Sequence, residues 1–173
     1  MQYFLTLSQE KNYGQIPVAD ETGHICFIIR GNLENPNHTL YLYDFNNQEI
    51  GRLFRDGVGI IASFTIDVVR HSLVKVHKMN SPAANVFYIS GLKYLVTGSI
   101  KKGTYKFRLG YKTVASVNTE VRSSGVTLCC EISKPEDVPF ILLTTILLTQ
   151  WHVTPLKLPT FPPLGQNIST NLN

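Results

Sequence analysis

The strongest chemical bias in this chain is cationic. From Val68 to Thr119 there are nine lysines and arginines and no aspartate or glutamate, whereas residues 1–67 hold eight acids against four bases. The formal net charge of +4 therefore conceals a polarised chain. Lys93, Lys101, Lys102, Lys106, Arg108 and Lys112 fall in one part of the basic stretch. On a shared outward face they would attract anions. Anionic phospholipid headgroups would be held at about 1 kcal/mol per base near the surface. Nucleic-acid phosphates would respond to the same charges. The plain alternative is a solvated basic face that keeps the domain soluble.

Other reactive side chains give no constellation. Cys26 stands alone and Cys129 and Cys130 are adjacent, without a CxxC pair. This pattern supports neither a zinc knuckle nor a redox pair, and it fits reduced thiols in a cytoplasmic protein. His71 and His77 bracket Lys75 without a cysteine or carboxylate at ligand spacing, and His24, His38 and His152 read as turn or surface residues. No metal site and no cofactor is expected. A Gly-x-Ser-x-Gly elbow is absent, and Gly57-Val58-Gly59 has neither the following helix nor the Lys-Ser/Thr pair of a phosphate loop. Asp44, Asp56 and Asp67 sit near strand ends, where aspartate serves turns. No catalytic residue is assigned. Tyr41, Tyr43, Tyr88, Tyr94, Tyr105 and Tyr111 alternate along the strands, as cross-strand pairs do. A stacking platform for single-stranded nucleic acid would use the same spacing, but no specific nucleic-acid partner is expected.

The elements that must carry these residues are strands. In Thr104-Tyr105-Lys106-Phe107-Arg108-Leu109 the apolar side chains alternate with polar ones, the pattern of a half-buried strand. Val126-Thr127-Leu128-Cys129-Cys130-Glu131-Ile132 repeats it, with Val126, Leu128, Cys130 and Ile132 inward. Turn signals such as Asp20-Glu21-Thr22-Gly23, Asn46-Asn47 and Lys101-Lys102-Gly103 divide the first 132 residues into about twelve strand candidates. That many strands would leave exposed edges unless the sheet closes into a barrel, and strand side chains alone would not fill such a wide lumen.

A segment near the C-terminus supplies the filling. Ser133 and Glu136 have the spacing of a capping box, and Pro135 suits a first helical turn. Phe140, Ile141, Leu143, Leu147 and Trp151 belong to a helix, spanning about 135–152, that is apolar around most of its circumference. Such a helix is buried on nearly all sides. At 1.5 Å per residue its apolar part covers about 20 Å, too short for a bilayer, so no transmembrane segment is expected. Met1-Gln2-Tyr3-Phe4-Leu5 lacks the basic start and apolar core of a signal peptide. The expected fold is thus mainly β, an antiparallel closed barrel of about twelve strands around one hydrophobic helix. It occupies residues 1–152, and a Pro-rich strap and tail follow over 153–173.

A loose internal repeat runs from Cys26 to Leu53 and from Val86 to Val117, each copy beginning with an apolar strand closed by Gly31 or Gly91. With the strand-turn-strand Leu42 to Leu53, and Glu136-Asp137-Val138 leading into the apolar helix, these segments resemble the LURP-one-related proteins. That group belongs to the tubby-like fold, to which phospholipid scramblases are related. The resemblance covers about residues 1–152 and rests on patterns of residue type. It implies a twelve-stranded barrel with a central C-terminal helix and a group without established enzymatic activity. Some tubby-like proteins bind phosphoinositides, but no motif for those positions occurs here. The Pro-rich tail departs from the simplest family pattern. The expected function is a non-enzymatic binding or scaffold module, cytoplasmic and peripheral at anionic membranes through the basic residues. A small-ligand carrier using the barrel mouth, an enzyme with a cleft assembled from distant residues, and a nucleic-acid-binding β domain are the alternatives.

Overall fold

A computed structural model describes residues 1–7, 14–32, 38–56, 63–79, 86–122 and 125–150. Twelve strands carry the alternation read above. They are β1 (Gln2–Leu7), β2 (Gln15–Asp20), β3 (Ile25–Arg30), β4 (Leu40–Asp44), β5 (Glu49–Asp56) and β6 (Ser63–Val68). Then follow β7 (Val74–Met79), β8 (Val86–Ile89), β9 (Tyr94–Ser99), β10 (Thr104–Leu109), β11 (Lys112–Arg122) and β12 (Gly125–Ile132). In β10, Tyr105 and Phe107 are buried and Thr104 and Lys106 exposed, as the period of two requires.

Each strand pairs antiparallel with its neighbours in sequence, and β1 closes the ring against β12 from Gln2↔Glu131 to Leu7↔Val126. Closure removes the free edges. The lumen is filled by α1 (Val138–Gln150), whose residues Phe140 to Leu148 are all buried. Leu42, Leu53, Ile66, Val76, Val96, Phe107 and Val117 are buried in the same core cluster as Phe140, Ile141, Leu143 and Leu147.

Two polar links fasten the helix to the wall. Tyr94 Oη donates to Asp137 Oδ2 at 2.8 Å where the helix begins, and Tyr105 Oη donates to the Thr145 carbonyl at 3.4 Å further along. Both phenols are buried. Burial, and for Tyr94 the Asp137 hydrogen bond after it, raises their pKa above the ordinary tyrosine value.

Several expectations change. The capping box does not form. The Ser133 amide is still in the barrel ladder, donating to the Val114 carbonyl at 3.0 Å, so it is not open to the Glu136 carboxylate as the box requires. A 3-10 turn, Pro135–Asp137, follows Lys134 without a side-chain cap, and Glu136 instead faces Lys134 at 3.7 Å. The α-helix itself starts at Val138, and Trp151 and the 153–173 strap lie outside the described residues. The internal repeat is not a structural one, because its first copy uses the consecutive strands β3, β4 and β5 while β9 interrupts the second. Its closing glycine is nonetheless required. Gly31 has φ +152°, and a Cβ there would lie 2.7 Å from the Thr39 carbonyl oxygen.

An up-and-down barrel sends alternate turns to opposite ends. The near end, where the chain turns into α1, carries the β2–β3, β4–β5, β6–β7, β8–β9 and β10–β11 turns. The far end, where α1 stops, carries the 3-10 turn Ile100–Lys102 between β9 and β10.

Candidate functional site

That alternation sorts the basic residues. Lys101 and Lys102 sit at the far end, and Lys106 points outward from the middle of β10. Lys93, in the β8–β9 turn, and Lys112, at the start of β11, sit at the near end, with Arg108 one residue before the last of β10. β10 alone is six residues long, so about 20 Å separates the two groups. This exceeds the Debye length of about 8 Å at physiological salt. The six residues are therefore strung along the β9–β11 wall, and half of them gather at the near end.

The near-end group has company that the linear reading did not assign to it. Arg70 occupies the adjacent β6–β7 turn with φ +65°. Val69 and Leu73 in that turn are exposed, as are Leu95 on β9 and Leu109 at the end of β10, and Tyr111 at the tip of the β10–β11 turn is fully exposed. Neighbouring turns are two strands apart, about 10 Å, so the three turns form an arc about 20 Å wide. Among the described residues, Arg70, Lys93, Arg108 and Lys112 form no ion pair. Bases elsewhere do, Arg52 with Asp67 at 3.1 Å and Lys75 with Asp56 at 3.4 Å. Lys106 and Arg108 face Ser116 and Thr113 on β11 and Thr97 and Leu95 on β9, none of them acidic. Elsewhere at the near end acids outnumber bases, with Asp20, Glu21, Asp44, Glu49 and Asp67 against Arg52, while Glu136 is paired with Lys134. Parity of the turns was the available signal for this arc, since a strict meander returns every second turn to the same end.

The tyrosines do not make a platform. Tyr94 and Tyr105 face the lumen and bond to the helix, while Tyr41 and Tyr43 pair with each other at 6.5 Å and Arg30 stacks on Tyr43 at 4.6 Å. His71 sits edge-on to Phe140, ring centroids 5.4 Å apart, at the near end of the core.

Two hollows remain. A shallow cleft of about 460 Å³ lies where β1, β11 and β12 meet at the near end, with Glu21 and Glu131 among its walls. A cavity of about 180 Å³ lies beside the end of α1, lined by Leu7, Tyr105, Leu128, Thr149, Lys101 and Lys102. Ligand sites usually measure roughly 300–1,000 Å³, so this cavity is small for a cargo.

A third feature escaped the linear reading. Asp20, His24 and Cys26 bring one donor atom each to within 4.8 Å of one another at the β2–β3 turn. Two local devices achieve this. Gly23, at φ +83°, lets the chain reverse tightly. Ala19 pairs with Ile25 while Val18 pairs with Phe27, so Cys26 is the extra residue of a bulge, which re-aims its side chain. Asp20 Oδ1 accepts from the Thr22 amide at 2.9 Å, Thr22 Oγ1 at 2.7 Å and the His24 amide at 3.1 Å. Cys26 Sγ faces Oδ2 at 3.6 Å. The Thr22 hydroxyl above all holds the Asp20 carboxyl below the usual carboxylate range. Burial first, and then the Asp20 charge, pushes the Cys26 thiol up. A thiol held protonated is a weaker nucleophile. The trio's signal in the sequence was Asp20-x3-His24-x-Cys26 across a glycine turn, readable only once a bulge is assumed.

No protein-family profile matches this chain, and no curated protein matches it. The fold has a relative in a solved X-ray structure of an Arabidopsis thaliana protein. The likeness has a TM-score of 0.59 at 13% sequence identity, covering 87% of this chain and 91% of the other. At that identity the likeness is one of fold. Among the described residues no helix is long and apolar enough to cross a membrane.

Proposed function

We propose that this protein is a non-enzymatic binding module of the LURP-one-related, tubby-like group, cytoplasmic and reversibly attached to anionic phospholipid membranes. The observation that carries this reading is the near-end arc. There, four bases without acidic partners among the described residues surround exposed Tyr111, Leu109 and Leu73. Bases approach headgroups from water, and an aromatic ring with a polar tip prefers the headgroup boundary. Four bases at about 1 kcal/mol each amount to about 4 kcal/mol, which favours the anionic surface about a thousandfold. That magnitude suits reversible attachment. The acidic remainder of the near end would repel the same surface and so fix the tilt at which the domain docks.

Co-sedimentation with vesicles of pure phosphatidylcholine, and with vesicles containing phosphatidylserine, tests this. Binding is expected only to the anionic vesicles and is expected to fade at 0.5 M salt, where screening is strong. Reversing Lys93, Arg108 and Lys112 to glutamate should weaken it at least about a hundredfold, from the loss of about 3 kcal/mol. Reversing Lys101 and Lys102 should do much less. Equal binding to both vesicle types, or dependence on Lys101 and Lys102 alone, would overturn the assignment of the arc.

A further inference from the structure

We infer that Asp20, His24 and Cys26 form a binding site for a divalent cation of the zinc class, with one coordination position left open. The site is independent of the membrane arc and lies in the acidic part of the near end. The donor set comprises a carboxylate oxygen, an imidazole nitrogen and a thiol sulfur. Mixed N/S/O donors suit zinc, whereas calcium and magnesium take oxygen ligands.

The geometry fits with little adjustment. Zinc bonds of about 2.0–2.3 Å in a tetrahedron put donor atoms about 3.3–3.7 Å apart. Cys26 Sγ and Asp20 Oδ2 are already 3.6 Å apart. All three donors lie within 4.8 Å of one another, so the remaining contraction is about 1 Å. The exposed His24 side chain is free to supply it.

A well-satisfied aspartate turn explains only part of this arrangement. The turn uses Oδ1, which takes all three donors from Thr22 and His24. It leaves Oδ2 turned to the thiol, and it needs neither the imidazole nor the bulge that re-aims Cys26. The three hydrogen bonds on Oδ1 instead do what outer-shell partners do in metal sites, fixing the orientation of a ligating carboxylate. Neighbouring Glu21 has its Oε1 engaged by the Gln2 amide at 3.0 Å. With three donors gathered from this chain, the fourth position falls to water or an exogenous ligand, the arrangement of zinc sites with three protein ligands. Binding forms a metal–thiolate bond and releases the Cys26 thiol proton to solvent.

Cobalt(II), a spectroscopic substitute for zinc, tests the inference on the untagged full chain. One equivalent should produce a thiolate-to-cobalt charge-transfer band in the near ultraviolet, and added zinc should abolish it. Cys26→Ser should remove the band. His24→Ala, at an exposed turn position, should weaken cobalt binding at least tenfold while leaving the far-ultraviolet circular dichroism unchanged. Absence of the band at stoichiometric cobalt, its persistence in Cys26→Ser, or undiminished affinity in His24→Ala would each overturn the site.

Discussion

Replacing Tyr94 with phenylalanine should loosen the helix from its barrel. The Tyr94 hydroxyl donates to Asp137 Oδ2 at 2.8 Å, and the two residues are 5% and 3% exposed. Water therefore does not replace the lost donor easily. A hydrogen bond to a charged group contributes about 1.5–3 kcal/mol, and removing one partner strands the other in the interior. Asp137 immediately precedes α1, so the amide dipoles of the first helical turn compensate the loss by up to about 1 kcal/mol. The expected cost of Tyr94→Phe is thus about 2 kcal/mol. For a domain of this size that lowers Tm by about 4–8 °C. Urea unfolding followed by far-ultraviolet circular dichroism should show a lower midpoint at unchanged slope. Asp137→Asn, alone and combined with Tyr94→Phe, completes a double-mutant cycle whose coupling should be at least about 1 kcal/mol. A Tyr94→Phe variant within about 0.5 kcal/mol of the parent would refute this reasoning, and so would purely additive costs.

The remaining predictions use other parts of the core. Tyr94 and Tyr105 both have folded pKa values raised above 10.0, so between that value and their native ones the unfolded chain binds fewer protons than the folded one. Stability present in full below about pH 10 should fall as pH rises beyond it, and urea midpoints at pH 8, 10 and 11 check the sign. Cys129 and Cys130 are buried, and burial pushes the Cys130 thiol up to about 12, whereas Cys26 is half-exposed. Iodoacetamide followed by peptide mass spectrometry should label Cys26 first and slowly, and the other two only on unfolding. Phe140→Ala empties a fully enclosed site where His71 lies edge-on, and should cost about 3–5 kcal/mol in the same urea assay.

Much of this molecule is local information. The period of two in β10 places Lys106 outside and Phe107 inside whatever the strand's neighbours are. The helix is apolar around most of its circumference, which marks it as a core element, and the surplus of strands called for closure around it. The strand and helix patterns depend on neighbours within one element, and the sequence alone determined them; closure followed only from the number of strands. The failure of the capping box is different. Ser133 and Glu136 have the right spacing, but the Ser133 amide is claimed by Val114, a partner 19 residues away that only the closed sheet supplies. Register decided the candidate sites too. A bulge between β2 and β3 turns Cys26 toward Asp20, and the parity of the strands separates Lys101 and Lys102 from Lys112 while bringing Arg70 toward Lys93. Spacing along a chain fixes which face of an element a side chain occupies. Only cross-strand pairing and ring closure fix which faces and which ends meet, because those depend on partners that local sequence does not name.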